Sequence, residues 1–357
     1  VIAPPHFWWR PRASAIALLL SPFSLVYGAL SGARMRRPPV ARAEVPVVCI
    51  GNYVVGGAGK TPTALAVARI AIALGRRPGF LTRGYGGKVP TPVLVDPLRH
   101  GAAEVGDEAL LLAELGPVVV SPDRPKGLPL LAEAGADFII MDDGFQNPSL
   151  YKDLRIVVVD GATGIGNGLV LPAGPLRVAL RTQIARTDAA IIVGPGKAGD
   201  HVLRRLARAG RPILRARLQP LAHRDWDGPP FLAFAGIGRP EKFFNTLDHA
   251  GAPIREVRAF PDHHVLAEEE AQKLLSRAER EGLRLITTTK DYARLSSAKG
   301  SAALLRQRTE IFEVGMAFED ERRLAALIET MLRRFVAAPP NGGFAGSDSK
   351  ISPKTTG

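Results

Sequence analysis

Cysteine is almost absent from this chain: Cys49 is the only one in 357 residues. An intrachain disulfide framework and a cysteine metal cluster are therefore excluded, and this usage fits a reducing compartment. Acidic residues are also scarce, with 34 Asp and Glu against 47 Lys and Arg, for a formal net charge of +13. That imbalance has bland readings, a GC-rich genome favouring Arg over Lys or general solubility, and functional ones, namely nucleic acid, an anionic lipid surface or a phosphorylated substrate. No helix-turn-helix, zinc or RNP-type motif accompanies the charge, so no nucleic-acid partner is expected. No internal repeat is present. What is plentiful is glycine (37) and proline (30), which implies many tight turns. A hydrophobic content of 46% with 23% charged residues is that of a globular protein, long enough for one large domain or two smaller ones.

One long apolar run stands out, over residues 14–33, with no charge until Arg34. Trp8, Trp9, Arg10 and Arg12 precede it, and Arg34, Arg36 and Arg37 follow. About 20 apolar residues can cross a bilayer, and Trp and Arg suit the headgroup region. Pro22 and the small polar residues weaken a full span, so the run is expected to lie in or partly enter a membrane. A buried core helix would share the composition but not the basic brackets. A signal peptide would carry the chain away from nucleoside triphosphate.

Residues 45–50 (VPVVCI) read as a buried parallel strand. A glycine-rich loop follows, then a helix over 61–74. Further strands are expected at 79–81, 93–95, 118–121, 138–141, 156–159 and 190–193, with helical patterns between several of them, such as 107–115. This alternation implies an α/β fold: a mostly parallel, doubly wound sheet with helices on both faces. A polar, turn-rich stretch at 222–230 precedes a second α/β set. Its strands are expected at 231–235, 255–259, 285–288 and 311–313, and its helices at 240–250, 267–281 and 319–335. The expected organisation is an apolar segment (1–37), a core (38–223), a smaller C-terminal unit with its boundary near Arg224 (224–336) and a disordered tail (337–357).

The loop between the first strand and helix reads GNYVVGGAGKT (51–61). Small residues let backbone N–H groups close around phosphate oxygens, and the following helix points its positive end at them. Val54 replaces one glycine of the usual phosphate-loop pattern, but the strand-loop-helix context is the one the mechanism requires. Gly56, Gly57, Ala58, Gly59, Lys60, Thr61 and Pro62 are therefore the candidate ATP-binding residues, with Lys60 on the β- and γ-phosphates and Thr61 on Mg²⁺. Residues 138–147 (FIIMDDGFQN) deliver Asp142 and Asp143 to the C-terminal end of a strand, the edge where ligands bind in open α/β sheets. A carboxylate there can hold Mg²⁺.

The combination resembles the tetraacyldisaccharide 4′-kinases, P-loop proteins that phosphorylate a lipid A precursor. The resemblance runs through GGAGKTP (56–62), TRGYGG (82–87), VGDEALLLA (105–113), DDGFQN (142–147), GNGLVLPAGPLR (166–177), FPDHH (260–264) and TTTKD (287–291). It implies transfer of the ATP γ-phosphate to the 4′-hydroxyl of a tetraacylated diglucosamine 1-phosphate. It further implies Asp107 as the catalytic carboxylate, His263 as its partner, and Lys60 on the phosphates. Thr61, Asp142, Asp143 and Glu108 become the metal residues, and Arg83, Tyr85, Arg124 and Gln146 the substrate candidates. The C-terminal unit becomes a candidate lid, and a monomer at the cytoplasmic face of the bacterial inner membrane is expected, drawn to its anionic surface. On the residues alone Asp107 reads as a first-turn helix acid and His263 as a turn residue. Two positions depart from the family: Asn147 stands where it has His, and Val178 where it often has Glu. A membrane-associated ATPase of the partition or cell-division type is the alternative, but such proteins carry a signature Lys where this chain has Val55.

Overall fold

A computed structural model describes residues 4–337 except Pro11, Ala58, His223 and Ser297. Its strands are β1 (Val47–Gly51), β2 (Pro78–Thr82), β3 (Val93–Leu94), β4 (Val118–Val120), β5 (Phe138–Asp142), β6 (Leu154–Asp160), β7 (Ala189–Val193), β8 (Ile213–Pro220), β9 (Phe231–Ala235), β10 (Ile254–Ala259), β11 (Arg284–Thr288), β12 (Thr309–Phe312) and β13 (Val314–Phe318). Nine form one sheet in the order β13-β8-β7-β6-β1-β5-β2-β4-β3, and four form another in the order β10-β9-β11-β12. The large sheet is parallel except at its two edges, where β13 and β3 run antiparallel to their neighbours. The small sheet is parallel throughout.

The central strands are apolar on both faces because helices cover both. In β1, Val48 and Ile50 enter one hydrophobic cluster, while Val47 and Cys49 enter the cluster on the opposite face. Phe138 and Ile140 of β5 alternate in the same way with Ile139 and Met141. Strand order reverses around β1, which lies between β6 and β5. Its C-terminal end is therefore the crevice where a doubly wound sheet binds ligands.

The chain does not stay in the small sheet after entering it. β13 returns to pair with β8, and Leu324, Ile328 and Met331 of the last helix (Glu321–Ala337) join the core of the large sheet. Residues 314–336, expected within the C-terminal unit, therefore pack on the core. Only Glu313 separates β12 from β13, so the two strands read as one stretch in sequence. β8 (ILRARLQP), absent from the expected strands, has the alternation of a half-buried strand in place of the continuous apolar run of the central strands. The tail expected over 337–357 lies outside the described residues except for Ala337.

The amino-terminal helix (Ala15–Arg36) starts at Ser14, whose hydroxyl accepts the Ala17 N–H at 3.2 Å, and continues through Pro22. Ala17, Ser24, Gly32 and Met35 are buried along one stripe. Ile16, Leu18, Leu19, Phe23, Leu25, Val26 and Leu30 are each more than half exposed. The buried stripe rests on the 166–178 loop: the Ala173 N–H donates to Ser24 Oγ at 2.9 Å, and Trp8 Nε1 donates to Pro172 O at 3.0 Å.

Candidate active site

The phosphate loop joins β1 to the helix Lys60–Ala73. Gly59 turns the chain into that helix at φ +90°, a conformation L side chains rarely adopt. Space above Gly56 and Gly57 is open, since a Cβ at either would meet nothing within 4 Å. Lys60 and Thr61 lie buried in the first turn of the helix, and Pro62 shares that turn, where a missing N–H is tolerated. Ala58 lies outside the described residues. Asn52 Nδ2 donates to Gly56 O at 2.7 Å and Lys60 Nζ donates to the same oxygen at 3.3 Å, bracing the loop from both ends.

Strand register brings the acidic pair alongside. Ile50 of β1 is the partner of Asp142 in β5, and the Asp143 N–H donates to Ile50 O at 3.0 Å. Asp143 is held at φ +50°, and Lys60 Nζ lies 3.9 Å from its Oδ1. Arg177 grips both Asp143 oxygens, at 3.0 and 3.1 Å, while its Nε donates to Val54 O at 3.2 Å. Burial opposes ionisation of Asp143, but Lys60 and Arg177 outweigh it and bring its pKa down to about 2.

Asp142 is different. It is fully buried, and neither carboxylate oxygen has a hydrogen-bond partner. Burial, reinforced by Glu108 and Asp143 and opposed by Lys60, pushes its pKa up to about 7. A buried, unpartnered carboxylate next to a phosphate loop fits a cation. The other two acids expected to hold metal are committed elsewhere: Asp143 to Arg177, and Glu108 to Lys290 Nζ at 2.7 Å. Lys290 first, with Lys60, holds the Glu108 carboxyl below its ordinary range against the effect of burial. Among the described residues no three His, Cys, Asp or Glu side chains form a metal-type group. Of the four residues expected to hold metal, Asp143 and Glu108 are thus ion-paired with basic side chains, whereas the Asp142 oxygens have no hydrogen-bond partner. Mg²⁺ commonly uses one or two carboxylates together with phosphates and water.

Asp107 and Glu108 open the helix Asp107–Leu112. The turn before it lies directly on the TRGYGG loop: Gly106 has φ +86°, and a Cβ there would stand 2.6 Å from Tyr85 O. Asp107 Oδ2 accepts from Arg294 Nε at 3.0 Å, and His263 Nδ1 lies 3.5 Å away. Burial opposes ionisation, yet His263, Lys290 and Arg294 hold the Asp107 carboxyl far below its ordinary range. His263 comes from the loop after β10, at φ +58°, with its ring centroid 5.2 Å from that of Tyr85. Among the described residues, Asp143 and His263 are the only non-glycine positions with positive φ, so backbone strain falls on two candidate site residues. Tyr85, Asp107, His263 and Arg294 line a cleft of about 320 Å³ between the two sheets, with apolar walls that include Phe260 and Leu266. A larger cavity of about 470 Å³, lined by Leu203, Leu214 and Arg323, shares no residue with it.

The substrate candidates divide. Tyr85 stands at the cleft, whereas Arg83 is exposed and does not line it. Arg124 is almost wholly buried, with Nη1 donating to Ser121 O at 2.8 Å and Nε unpartnered. Gln146, expected at the acceptor, braces the phosphate loop. Its Nε2 donates to Asn52 O at 2.7 Å and to Gln183 Oε1 at 2.9 Å, and its Oε1 accepts from Arg177 at 3.4 Å. Asn147 closes a turn, its Oδ1 accepting the Ser149 N–H at 2.8 Å. Val178 is buried, packed near Gly32 of the amino-terminal helix.

Sequence reading missed the residues that tie the parts together. Arg177 and Lys290 were visible only as members of longer motifs. Asp160, which ends β6 and receives ion pairs from Arg239 and Lys242 across the two sheets, carries the same signal as Asp142, an acid closing a parallel strand.

A family model described as tetraacyldisaccharide-1-P 4′-kinase (LpxK) matches residues 16–333. A tetraacyldisaccharide 4′-kinase of Methylorubrum extorquens is 51% identical over 322 residues, covering 90% of this chain and 96% of that protein. The kinase of the same description from Brucella melitensis is 45% identical over 333 residues, covering 93% and 97%. Among solved structures, LpxK from Aquifex aeolicus in complex with ATP superposes with a TM-score of 0.69 at 27% identity, covering 88% of this chain and 99% of that one.

Proposed function

The chain belongs to the tetraacyldisaccharide-1-P 4′-kinase family, and on that premise we propose how its residues divide the work of phosphoryl transfer. The reaction is that of a lipid A 4′-kinase: phosphorylation of the 4′-hydroxyl of a tetraacylated diglucosamine 1-phosphate. Family membership sets aside the partition-type ATPase reading. ATP is the donor, and backbone amides of the 56–60 loop wrap its phosphates while Lys60 neutralises the β- and γ-oxygens. Thr61 and Asp142 would hold Mg²⁺, which when bound offsets phosphate charge as the bond to the leaving group breaks.

Phosphoryl transfer relies chiefly on placement and charge, so most of these residues act by holding. Arg177 keeps Asp143 and the phosphate loop in register. Asp107, ionised at neutral pH, accepts the proton of the 4′-hydroxyl as that oxygen attacks the γ-phosphorus. His263 orients Asp107 and stands ready to share the proton. Tyr85 and Arg83 border the acceptor, and Arg124 adds positive charge from beneath.

The amino-terminal helix lays its exposed apolar face into the bilayer, with Arg34 and Arg36 at its end among anionic headgroups. This seats a monomer at the cytoplasmic face of the inner membrane, where ATP and the lipid meet. The small sheet serves as a lid hinged on the core, to which β13 and the terminal helix return.

The site reading rests on one observation: Asp142, buried and without a partner, beside the loop that carries Lys60. Steady-state kinetics with ATP and the lipid varied separately test it. Lys60→Ala should raise KM for ATP and remove nearly all kcat. Asp107→Ala should leave KM for ATP near its original value while lowering kcat by about 10²-fold or more. Unchanged kcat in either variant contradicts the assigned role.

A further inference from the structure

Asp107 stands on the large sheet, yet the groups that grip its Oδ2 come from the small one. Its Oδ1 accepts the Glu108 N–H at 3.0 Å, within its own helix. Its Oδ2 accepts from Arg294 through both Nε and Nη2, and His263 Nδ1 approaches the same oxygen at 3.5 Å. Arg294 ends the short helix Thr289–Arg294 that follows β11. Its guanidinium is fixed from behind: Nη1 donates to Gly236 O at 2.6 Å and to Asp291 Oδ1 at 2.7 Å. Asp291 is in turn held by the Gly236 N–H at 3.0 Å and the Thr288 hydroxyl at 2.7 Å. The fork is thus clamped on one side by the small sheet and presents its other side to Asp107. Arg294 is nearly inaccessible, with a side-chain exposure of 7%.

A guanidinium donates only and stays charged throughout the physiological range. A carboxylate gripped by two of its N–H groups cannot rotate away and remains an anion. Arg294 Nη2 also lies 3.5 Å from His263 Nδ1, so one guanidinium stands against both members of the pair. One turn earlier on the same helix, Lys290 takes Glu108, so two consecutive acids of one helix are gripped by two residues of another. Lys290, Arg294, His263 and Asp291 are the charged or titratable groups of the small sheet gathered around Asp107.

We propose that Arg294 is a positioning residue for the transfer: it sets the Asp107 carboxylate from the small sheet, so that the proton acceptor is in place only when the two sheets are docked. The inference rests on the assignment of Asp107 as proton acceptor.

The test compares Arg294→Ala, Arg294→Lys and Asp107→Asn in the detergent-solubilised full chain, with ATP and lipid varied. Arg294→Ala should lose about 10²-fold in kcat, because misplacement of a reacting group by about 1 Å costs that much, with KM for ATP little changed. Arg294→Lys, which keeps the charge without the fork, should fall between. Millimolar guanidinium should restore part of the kcat of Arg294→Ala and none of that of Asp107→Asn. A kcat for Arg294→Ala equal to or above that of the unsubstituted chain overturns the proposal and makes the contact a dispensable or inhibitory latch. A loss of kcat that neither lysine nor guanidinium reverses overturns it as well, leaving only a role in folding. If Arg294→Ala does not fold, Arg294→Lys decides: full kcat overturns the proposal, and reduced kcat at unchanged melting temperature upholds it. Full activity in Asp107→Asn would remove the assignment of Asp107 itself, whatever Arg294 does.

Discussion

Replacing Asp142 with Asn should make the nucleotide-free protein more stable while removing its activity. The carboxylate is fully buried and unpartnered, and burial, then Glu108 and Asp143, raise its pKa from 3.8 to about 7. A group whose folded pKa lies above its unfolded one binds more protons in the folded state, so stability falls as pH rises between the two values. Its penalty is absent below about pH 4, grows through pH 4–7 and is constant above. At about 1.4 kcal/mol per pH unit, the gap between 3.8 and about 7 corresponds to roughly 4 kcal/mol at pH 8, and to less than half of that at pH 5. Asn is nearly isosteric and neutral, and its unpartnered amide costs about 1–3 kcal/mol at every pH, much as the protonated acid does. Urea unfolding of both proteins at pH 5, 6, 7 and 8, without nucleotide or divalent cation, reads the difference directly. The advantage of Asp142→Asn should widen with pH by about 2.5 kcal/mol between pH 5 and 8. Parallel stability profiles, or a variant that loses ground as pH rises, would refute the claim that Asp142 is a buried charge kept for a cation.

Arg177→Met should release Asp143 and Val54 together, lowering kcat and weakening ATP binding at least tenfold in equilibrium nucleotide titrations, about 1.4 kcal/mol or more. Asn147→Ala removes a turn contact and should cost about 1 kcal/mol of unfolding free energy while kcat stays within about twofold; a large loss of kcat would return this position to the chemistry. Gly51→Ala would place a Cβ 2.3 Å from Phe145 Cβ, so the melting temperature should drop by several degrees, with a loss of about 1–3 kcal/mol. Replacing Leu19, Phe23 and Leu30 together with Gln should abolish sedimentation with anionic vesicles and leave ATP binding intact, since these side chains point outward.

The phosphate loop, the acidic strand end and most central strands were legible in sequence because each is local: a buried parallel strand is a continuous apolar run, and a phosphate loop is a fixed order of small residues. Positions whose meaning depends on a distant partner were not. Gln146 belongs to a hydrophilic motif, and only the fold shows that its amide faces Asn52 and Gln183. Asp143 and Glu108 are plain acids in sequence, and only the fold brings Arg177 and Lys290 to them from 34 and 182 residues away. β13 forms an edge of the large sheet and is only partly buried, and β8 beside it alternates arginines with apolar residues, so neither shows the continuous buried run of the central strands. The return of the last helix to the core is a matter of topology. Its apolar stripe of Leu324, Ile328 and Met331 states that a surface exists to cover, but not which one.

The central claim is that one site, formed by the phosphate loop and Asp142, delivers the γ-phosphate of ATP to the 4′-oxygen of the lipid. Phosphorus NMR of the lipid recovered after incubation with ATP, the tetraacyldisaccharide 1-phosphate and either the unsubstituted chain or Asp142→Asn measures it. The expected result is a second phosphomonoester, at the 4′ position, that appears with the first protein and not with the second. Phosphate released to water with the lipid unchanged, or equal 4′-phosphorylation by both proteins, would contradict it.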